Sequence, residues 1–329
     1  MKIALLEISH WHFPLYIEDL LSSGAEIIAI SDKNEKVRNK YGDKFNCKTY
    51  TDWRHLVNET KPDAIFAFGE HHEMLEIGTS LISEGIPFSI EKPGGICLSD
   101  VIELNKLAKQ KNVLVSVPLV QRFGPLKSLI DNLIKEEGAF FTSTSWRFNA
   151  GPPQRYSNIF CDWMLNSEKS GGGCLINLAP HFIDLALNLM PHKADLIFAQ
   201  TDSLLHRTEI EDTATICISS KKGGRALIET GYNFPDSLSK REYSFSLVSK
   251  NHYVQSNADG VCIVRPGKAI EYIEIDLDSD PLYGVYVESF FETLLGNKEL
   301  RSGLSDLEDA MKIVELAYAS AGSNQSIAI

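Results

Sequence analysis

Short apolar runs alternate with helix-patterned segments through the first 117 of this chain's 329 residues, and that alternation constrains the fold more than any other feature. Residues 3–6, 26–30, 64–68, 88–90 and 113–117 read as strands, each a brief apolar run bounded by turn signals. Residues 14–21, 33–41, 74–83 and 99–109 carry apolar side chains at helical spacing, with Gly24 and Gly85 as stops and Ser99 as a cap. Parallel strands need a crossover between them, usually a helix, so this order predicts βαβ units wound into a doubly wound parallel sheet. Past Arg122 the pattern changes. Residues 127–136 form an amphipathic helix, 140–148 alternate as a strand, and 177–189 are apolar at helical spacing. Residues 195–275 hold runs rich in Thr, Ile, Val and Tyr, among them 213–218, 226–232 and 243–248, which predict a largely antiparallel sheet. Helices over 285–295 and 305–321 close the chain, the second opened by Ser305 and Glu308 as a capping box. The expected class is α/β, with one domain over 1–122 and another over 123–329.

Bulk properties narrow the partners. A net charge of −12 without a basic run argues against nucleic acid and against an anionic membrane surface. No apolar stretch reaches the roughly 18 residues that span a bilayer, and the first residues run into Glu7 without a signal-peptide cleavage site. The six cysteines are scattered with no Cys-x-x-Cys pair, which reads as small core residues in a reducing, cytoplasmic setting.

Two segments carry chemistry. Residues 86–93 read Ile-Pro-Phe-Ser-Ile-Glu-Lys-Pro, which delivers Lys92 at the carboxyl end of a buried strand, where open α/β sheets bind ligands. Far downstream, Gly171-Gly172-Gly173 precedes Asn177, His181 and Asp184. Together they suggest a dehydrogenase site shared between the two domains. A dinucleotide fold should carry Gly-x-Gly-x-x-Gly in its first strand-to-helix turn. Here that turn reads Glu7-Ile8-Ser9-His10-Trp11-His12, without a glycine, and Pro14 lets the helix start near His12 or Phe13. Asp32, directly after the second strand, stands where an acid binds the adenosine ribose; it favours NAD over NADP, although Lys33 beside it tolerates a 2′-phosphate. An ordinary turn residue is the equal alternative for Asp32. In strand order 3-2-1-4-5-6 the first and fourth strands are neighbours. The turn at 7–12 then meets Gly69-Glu70-His71-His72-Glu73, which brings four histidines and three carboxylates together. Three readings stand: imidazole N–H groups replacing the lost backbone donors to phosphate, with His10 or His12 on the dinucleotide; a zinc-like metal site; or incidental loop polarity.

With Lys92 and the 171–184 segment placed, the chain resembles the Gfo/Idh/MocA oxidoreductases over essentially its whole length. The landmarks are Asp32, the strand over 63–68, Glu91-Lys92-Pro93, Arg122-Phe123-Gly124-Pro125, the segment from Gly171 to Asp184, and Glu211-Asp212-Thr213-Ala214. The resemblance implies a Rossmann domain plus an α/β domain with an open, mostly antiparallel sheet whose outer face forms a homo-oligomer interface, dimer or tetramer. It implies hydride transfer between NAD or NADP and a hydroxyl or keto carbon of a sugar, sugar derivative or cyclitol. Lys92 would bind the reacting oxygen, His181 would serve as general acid/base and Asn177 would position substrate. The implied cofactor set is Ser9, His10, His12, Asp32, Gly69, His71, Glu91 and Arg122, with no metal ligand. Departures from the family pattern are Asn177 in place of an Asp, His71 and Met74 in place of an Asn and a His, and the glycine-free turn. Two rivals follow: a ligand-binding or regulatory relative without dehydrogenase activity, and an enzyme that uses tightly held NAD for eliminative cleavage or epimerisation. Arg147, Arg155, Trp163 and Tyr232 are weaker candidates for substrate contact.

Overall fold

Why a parallel sheet forms first is visible in burial. The strands at its centre are apolar on both faces, which only a sheet covered on both sides accepts. The computed structural model describes residues 1–329. In chain order the first elements are β1 (Lys2–Leu6), α1 (Ile17–Ser22), β2 (Glu26–Ser31), α2 (Glu35–Phe45), β3 (Lys48–Tyr50) and α3 (Trp53–Thr60). β4 (Ala64–Ala67), α4 (Met74–Ser83), β5 (Phe88–Ile90), α5 (Leu98–Lys111) and β6 (Val115–Ser116) follow. Then come α6 (Pro125–Glu137), β7 (Ser143–Ala150), the short α7 (Gln154–Ser157) and α8 (Ser167–Ser170), and α9 (Cys174–Leu189). The remaining strands are β8 (Leu196–Asp202), β9 (Thr213–Ser219), β10 (Arg225–Gly231), β11 (Arg241–Val248), β12 (Tyr253–Asn257), β13 (Gly260–Val264) and β14 (Glu271–Glu274). Helices α10 (Leu282–Leu294) and α11 (Leu304–Ser323) and strand β15 (Ile327–Ala328) end the chain.

The chain divides into two compact units. The first comprises Met1–Pro118, Tyr156–Gly171 and Asp280–Glu308; the second comprises Leu119–Arg155, Gly172–Ser279 and Asp309–Ile329. In the first unit six strands run in the order β3-β2-β1-β4-β5-β6, all parallel, as the alternation predicts. Ile3–Leu6 and Ala64–Ala67 at the centre are fully buried. The sequence reading omits β3 and α3. β3 is an exposed edge strand of three residues with no apolar pattern, and α3 starts from Asp52, whose carboxylate accepts the Arg54 N–H. Two caps are corrected. Cys97, not Ser99, is the N-cap of α5, and the Asp100 carboxylate takes the Ile96 N–H. Ser305 and Glu308 do not box α11; both turn to Asn105, while Asp306 receives the Gly303 N–H. Side chains with a tertiary partner abandon the local cap that their spacing suggests.

In the second unit nine strands form one sheet, ordered β14-β13-β12-β11-β7-β10-β9-β8-β15. Every pairing is antiparallel except β7 with β10. Helix α9 packs against β7, β9 and β10. It is buried nearly all round, which explains an apolar run of this length without a polar face. The cysteines form no disulfide; Cys161, Cys174 and Cys262 are buried as expected, but Cys217 is exposed.

Candidate functional site

In the first unit β1 and β4 are neighbours, so the turns that follow them meet at the sheet's switch point. Glu7 leaves β1 with φ +54°, the left-handed region in which a glycine would be free of strain. The residue is 7% exposed. Its N–H donates to Ser31 Oγ at 3.3 Å, and the Ser31 hydroxyl donates back to Glu7 Oε1 at 3.1 Å. Burial pushes its pKa up to about 7, with Asp32 and Glu73 adding to the rise and Lys33 opposing it. Asp32 does not stand open. The Ser9 N–H and hydroxyl both donate to its carboxylate, the hydroxyl at 2.7 Å, and the Asn34 N–H adds a third bond at 2.7 Å. Burial raises the Asp32 pKa while these bonds hold it down.

The histidines divide into two kinds. The His12 N–H donates to His10 Nδ1 at 3.1 Å, so the His10 proton sits on Nε2. Burial keeps His10 well below its ordinary pKa, and its Nε2–H has no partner within the protein. His71 is the converse. Its Nδ1 donates to the Ser170 carbonyl at 2.8 Å, burial lowers its pKa to about 3, and the bare Nε2 has no partner. The two rings lie 6.3 Å apart, and Trp163 packs against both. His12 belongs to another network. Its Nδ1 meets Glu91 Oε2 at 2.9 Å, its Nε2 meets the Tyr283 hydroxyl at 3.0 Å, and Tyr16 donates to the other Glu91 oxygen. His72 is half-exposed, 3.5 Å from Glu70. No three His, Cys, Asp or Glu side chains gather in a way that could hold a metal ion.

Lys92 ends this unit's site. It follows β5, is 1% exposed, and its Nζ lies 5.7 Å from the Trp11 ring centroid. A Cβ on Gly69 would stand 2.6 Å from the Ile77 Cδ1 methyl, so a side chain there would need that methyl to turn away. A cavity of about 150 Å³ is lined by Glu7, Ser9, His10, Asp32, Lys33 and Trp163, among others. That is small beside the ~300–1,000 Å³ of ordinary ligand pockets. The residues nonetheless suit a dinucleotide in one respect: the buried, unpartnered His10 Nε2–H is a donor in the wall that Asp32 shares.

The second unit builds its site from the glycine triplet. A Cβ on Gly173 would lie 2.0 Å from the Glu211 carbonyl oxygen, and one on Gly172, at φ +146°, would lie 2.1 Å from the Tyr318 hydroxyl. That crowding lets the Glu211 carboxylate accept the Gly173 and Leu175 N–H groups at 2.8 and 2.9 Å, together with the Tyr318 hydroxyl at 2.9 Å. A half-buried acid thus caps the positive end of α9. Downstream on that helix, Asn177 Nδ2 donates to the Tyr232 hydroxyl at 2.9 Å, and His181 is 9% exposed. Asp184 holds Arg122 in a two-pronged pair, Nε to Oδ2 at 2.7 Å and Nη2 to Oδ1. The Arg155 guanidinium lies 5.5 Å from the Tyr232 ring centroid, and Arg147 is an exposed partner of Glu242. Sequence reasoning assigned no task to Glu211, Tyr318 or Tyr283; only the Glu211-Asp212 pair marked the first of them.

The family profile described as "Oxidoreductase family, NAD-binding Rossmann fold" matches residues 13–119, beginning just past the glycine-free turn. The profile described as "GFO/IDH/MocA C-terminal domain" matches residues 140–247. Among solved structures, levoglucosan dehydrogenase in complex with NADH and levoglucosan has a TM-score of 0.87 at 14% identity, covering 100% of this chain and 99% of that one. GenD2 from gentamicin A biosynthesis, in complex with NAD, has a TM-score of 0.84 at 16% identity, covering 100% and 96%. The WlbA dehydrogenase from Bordetella pertussis, with NADH and UDP-GlcNAcA, has a TM-score of 0.81 at 19% identity, covering 100% and 98%. These likenesses establish the fold. No curated protein matches the chain by sequence.

Proposed function

The chain belongs to the GFO/IDH/MocA family of NAD-binding oxidoreductases, and we propose that its substrate is a sugar, sugar derivative or cyclitol, reacting at a hydroxyl or keto carbon. The solved relatives crystallised with levoglucosan or UDP-GlcNAcA support that class. The observation that carries the reading is Lys92, a fully buried ammonium delivered by β5 in the order Glu91-Lys92-Pro93. NAD, when bound, supplies the centre that accepts or returns hydride. Lys92 hydrogen-bonds the reacting oxygen and stabilises negative charge that develops there. His181 takes or returns the hydroxyl proton, a task suited to imidazole near neutral pH. Asn177, oriented by Tyr232, fixes a neighbouring substrate group.

Ser9, His10, Asp32, Gly69 and His71 take the cofactor, with the Ser9 N–H and hydroxyl holding the Asp32 carboxylate in place. Glu91, His12 and Arg122 are engaged within their own units and act by holding the frame around the site. The outer face of the second unit's sheet, with Leu196, Cys217, Leu227 and Tyr253 exposed, serves a homo-oligomer. No helix is long and apolar enough to cross a membrane, and the unbridged cysteines favour the cytoplasm.

The test is a calorimetric titration with NADH and NADPH, followed by a polyol and sugar screen read at the nicotinamide absorbance. Lys92→Ala should keep NADH binding and lose about 10²–10³-fold in turnover. Wild-type protein that binds neither nucleotide would leave the rival reading, a ligand-binding relative, in possession.

A further inference from the structure

Resting on the cofactor reading above, we propose that Glu7 in its protonated form donates to the dinucleotide's diphosphate, so that binding takes up one proton. Glu7 occupies the first glycine position of the missing fingerprint, directly after β1 and next to the cavity wall formed by His10 and Asp32. A fingerprint turn offers backbone N–H groups to the phosphates. Here the Ser9 N–H is spent on Asp32, the His12 N–H on His10 and the Glu7 N–H on Ser31. Among the side-chain donors in that wall are the unpartnered His10 Nε2–H, and the Glu7 carboxyl once it carries its proton.

The groups facing Glu7 make the choice of protonation state decisive. Asp32 approaches from the end of β2 and Lys33 follows it; Glu70 and Glu73 approach from the turn after β4; His10 lies on the same turn as Glu7 and is neutral. Lys33 is paired with Glu73. An ionised Glu7 would therefore be the fourth carboxylate in a wall with one cation, Lys33, and a diphosphate would be repelled. A neutral Glu7 removes that charge and turns an acceptor into a donor. Glu7 holds φ +54°, a conformation that the glycine it replaces would adopt without strain. Burial already holds the carboxyl near neutral pH, so the proton is available at small cost.

The experiment is isothermal titration of NADH into the full-length protein from about pH 6 to about pH 8.5, in buffers of different ionisation enthalpy, with wild type, Glu7→Gln and Glu7→Gly. Wild-type affinity should be flat well below pH 7, where no proton is taken up, and weaken about tenfold per unit above it, where uptake approaches one proton. Both variants should be flat across the range, without uptake, and about tenfold or more tighter than wild type at the alkaline end. Glu7→Gly guards against a folding defect, since glycine suits the left-handed backbone. Equal pH dependence in wild type and variants, or no proton uptake by wild type, overturns the proposal while NADH binding itself stands. If no protein binds NADH at any pH, the cofactor reading falls instead, and this inference with it.

Discussion

The turn into α9 and the turn after β1 are both places where this family is expected to carry glycine, and the chain treats them in opposite ways. Before α9 it keeps Gly171-Gly172-Gly173, because backbone and side-chain atoms of Glu211 and Tyr318 crowd where a Cβ would go. After β1 it fills the corresponding space with Glu7, Ser9, His10, Trp11 and His12, and their side chains then bond to the groups a ligand would meet. Glycine is irreplaceable where the protein's own atoms press in. Where the pressing atoms would belong to a ligand, the chain can trade glycine for polar side chains, at the cost of a smaller and more acidic cavity.

The largest effect tests the first half of that contrast. Gly173→Ala forces a Cβ to within 2.0 Å of a backbone carbonyl, so the α9 cap must break or the β8–β9 connection must shift. A loss of about 4 kcal/mol or more is expected, read as a collapsed denaturation midpoint. A near-wild-type midpoint would mean that the triplet tolerates what the other turn tolerates, and the contrast would vanish.

Next comes the anchor at the far end of the same helix. Asp184→Asn removes the charge that holds Arg122 and leaves a poorly exposed guanidinium without its carboxylate. About 3 kcal/mol of stability should go, by urea denaturation. Asp184→Ala together with Arg122→Met should recover part of it, because removing both partners spares the unpaired charge.

The second half of the contrast has its own stability signature. The folded-state pKa of Glu7 is about 7, above its ordinary 4.5. Between those values the folded chain binds more protons than the unfolded chain. The contribution to stability is therefore complete below about pH 4.5 and is lost as pH rises through 7. The loss amounts to about 3 kcal/mol at most by pH 8. Glu7→Gln should abolish that decline, so its melting temperature relative to wild type should be similar near pH 5 and higher near pH 8. Parallel curves for the two proteins would show that Glu7 is ionised and solvated, and that the turn is an open loop.

How much of this could be read beforehand follows the same division. Five of the six parallel strands, the antiparallel second sheet and the long helices were legible because burial on a repeating lattice writes itself as apolar periodicity. So were Lys92 at the end of β5 and the glycine-led start of α9, each by itself, since strand ends and close approaches leave short fixed strings. β3 and α3 were not, because an exposed edge strand and a helix begun by an Asp cap carry little apolar signal. Nor could spacing show that His12 would turn to Glu91 while His10 kept an unpartnered nitrogen, or that Ser9 would take Asp32. Those outcomes depend on which side chain reaches a partner first across the switch point. The misread capping box is the same lesson on a surface helix, where Asn105 outcompetes the local backbone for Ser305 and Glu308.

The smallest predicted effect separates positioning from packing beside Asn177. Tyr232 is fully buried, and its hydroxyl accepts the Asn177 amide at 2.9 Å. Tyr232→Phe keeps the ring and its contact with the Arg155 guanidinium but deletes one neutral hydrogen bond, worth about 1 kcal/mol. If Asn177 orients substrate, the loss should appear as a KM raised roughly five- to tenfold, with NADH affinity unchanged. Substrates that lack the hydroxyl next to the reacting carbon should show no difference between the two enzymes. A purely structural role would instead lower the melting temperature and leave KM alone. The two turns would then differ only in how they fold, and the substrate contact would have to be sought elsewhere on α9.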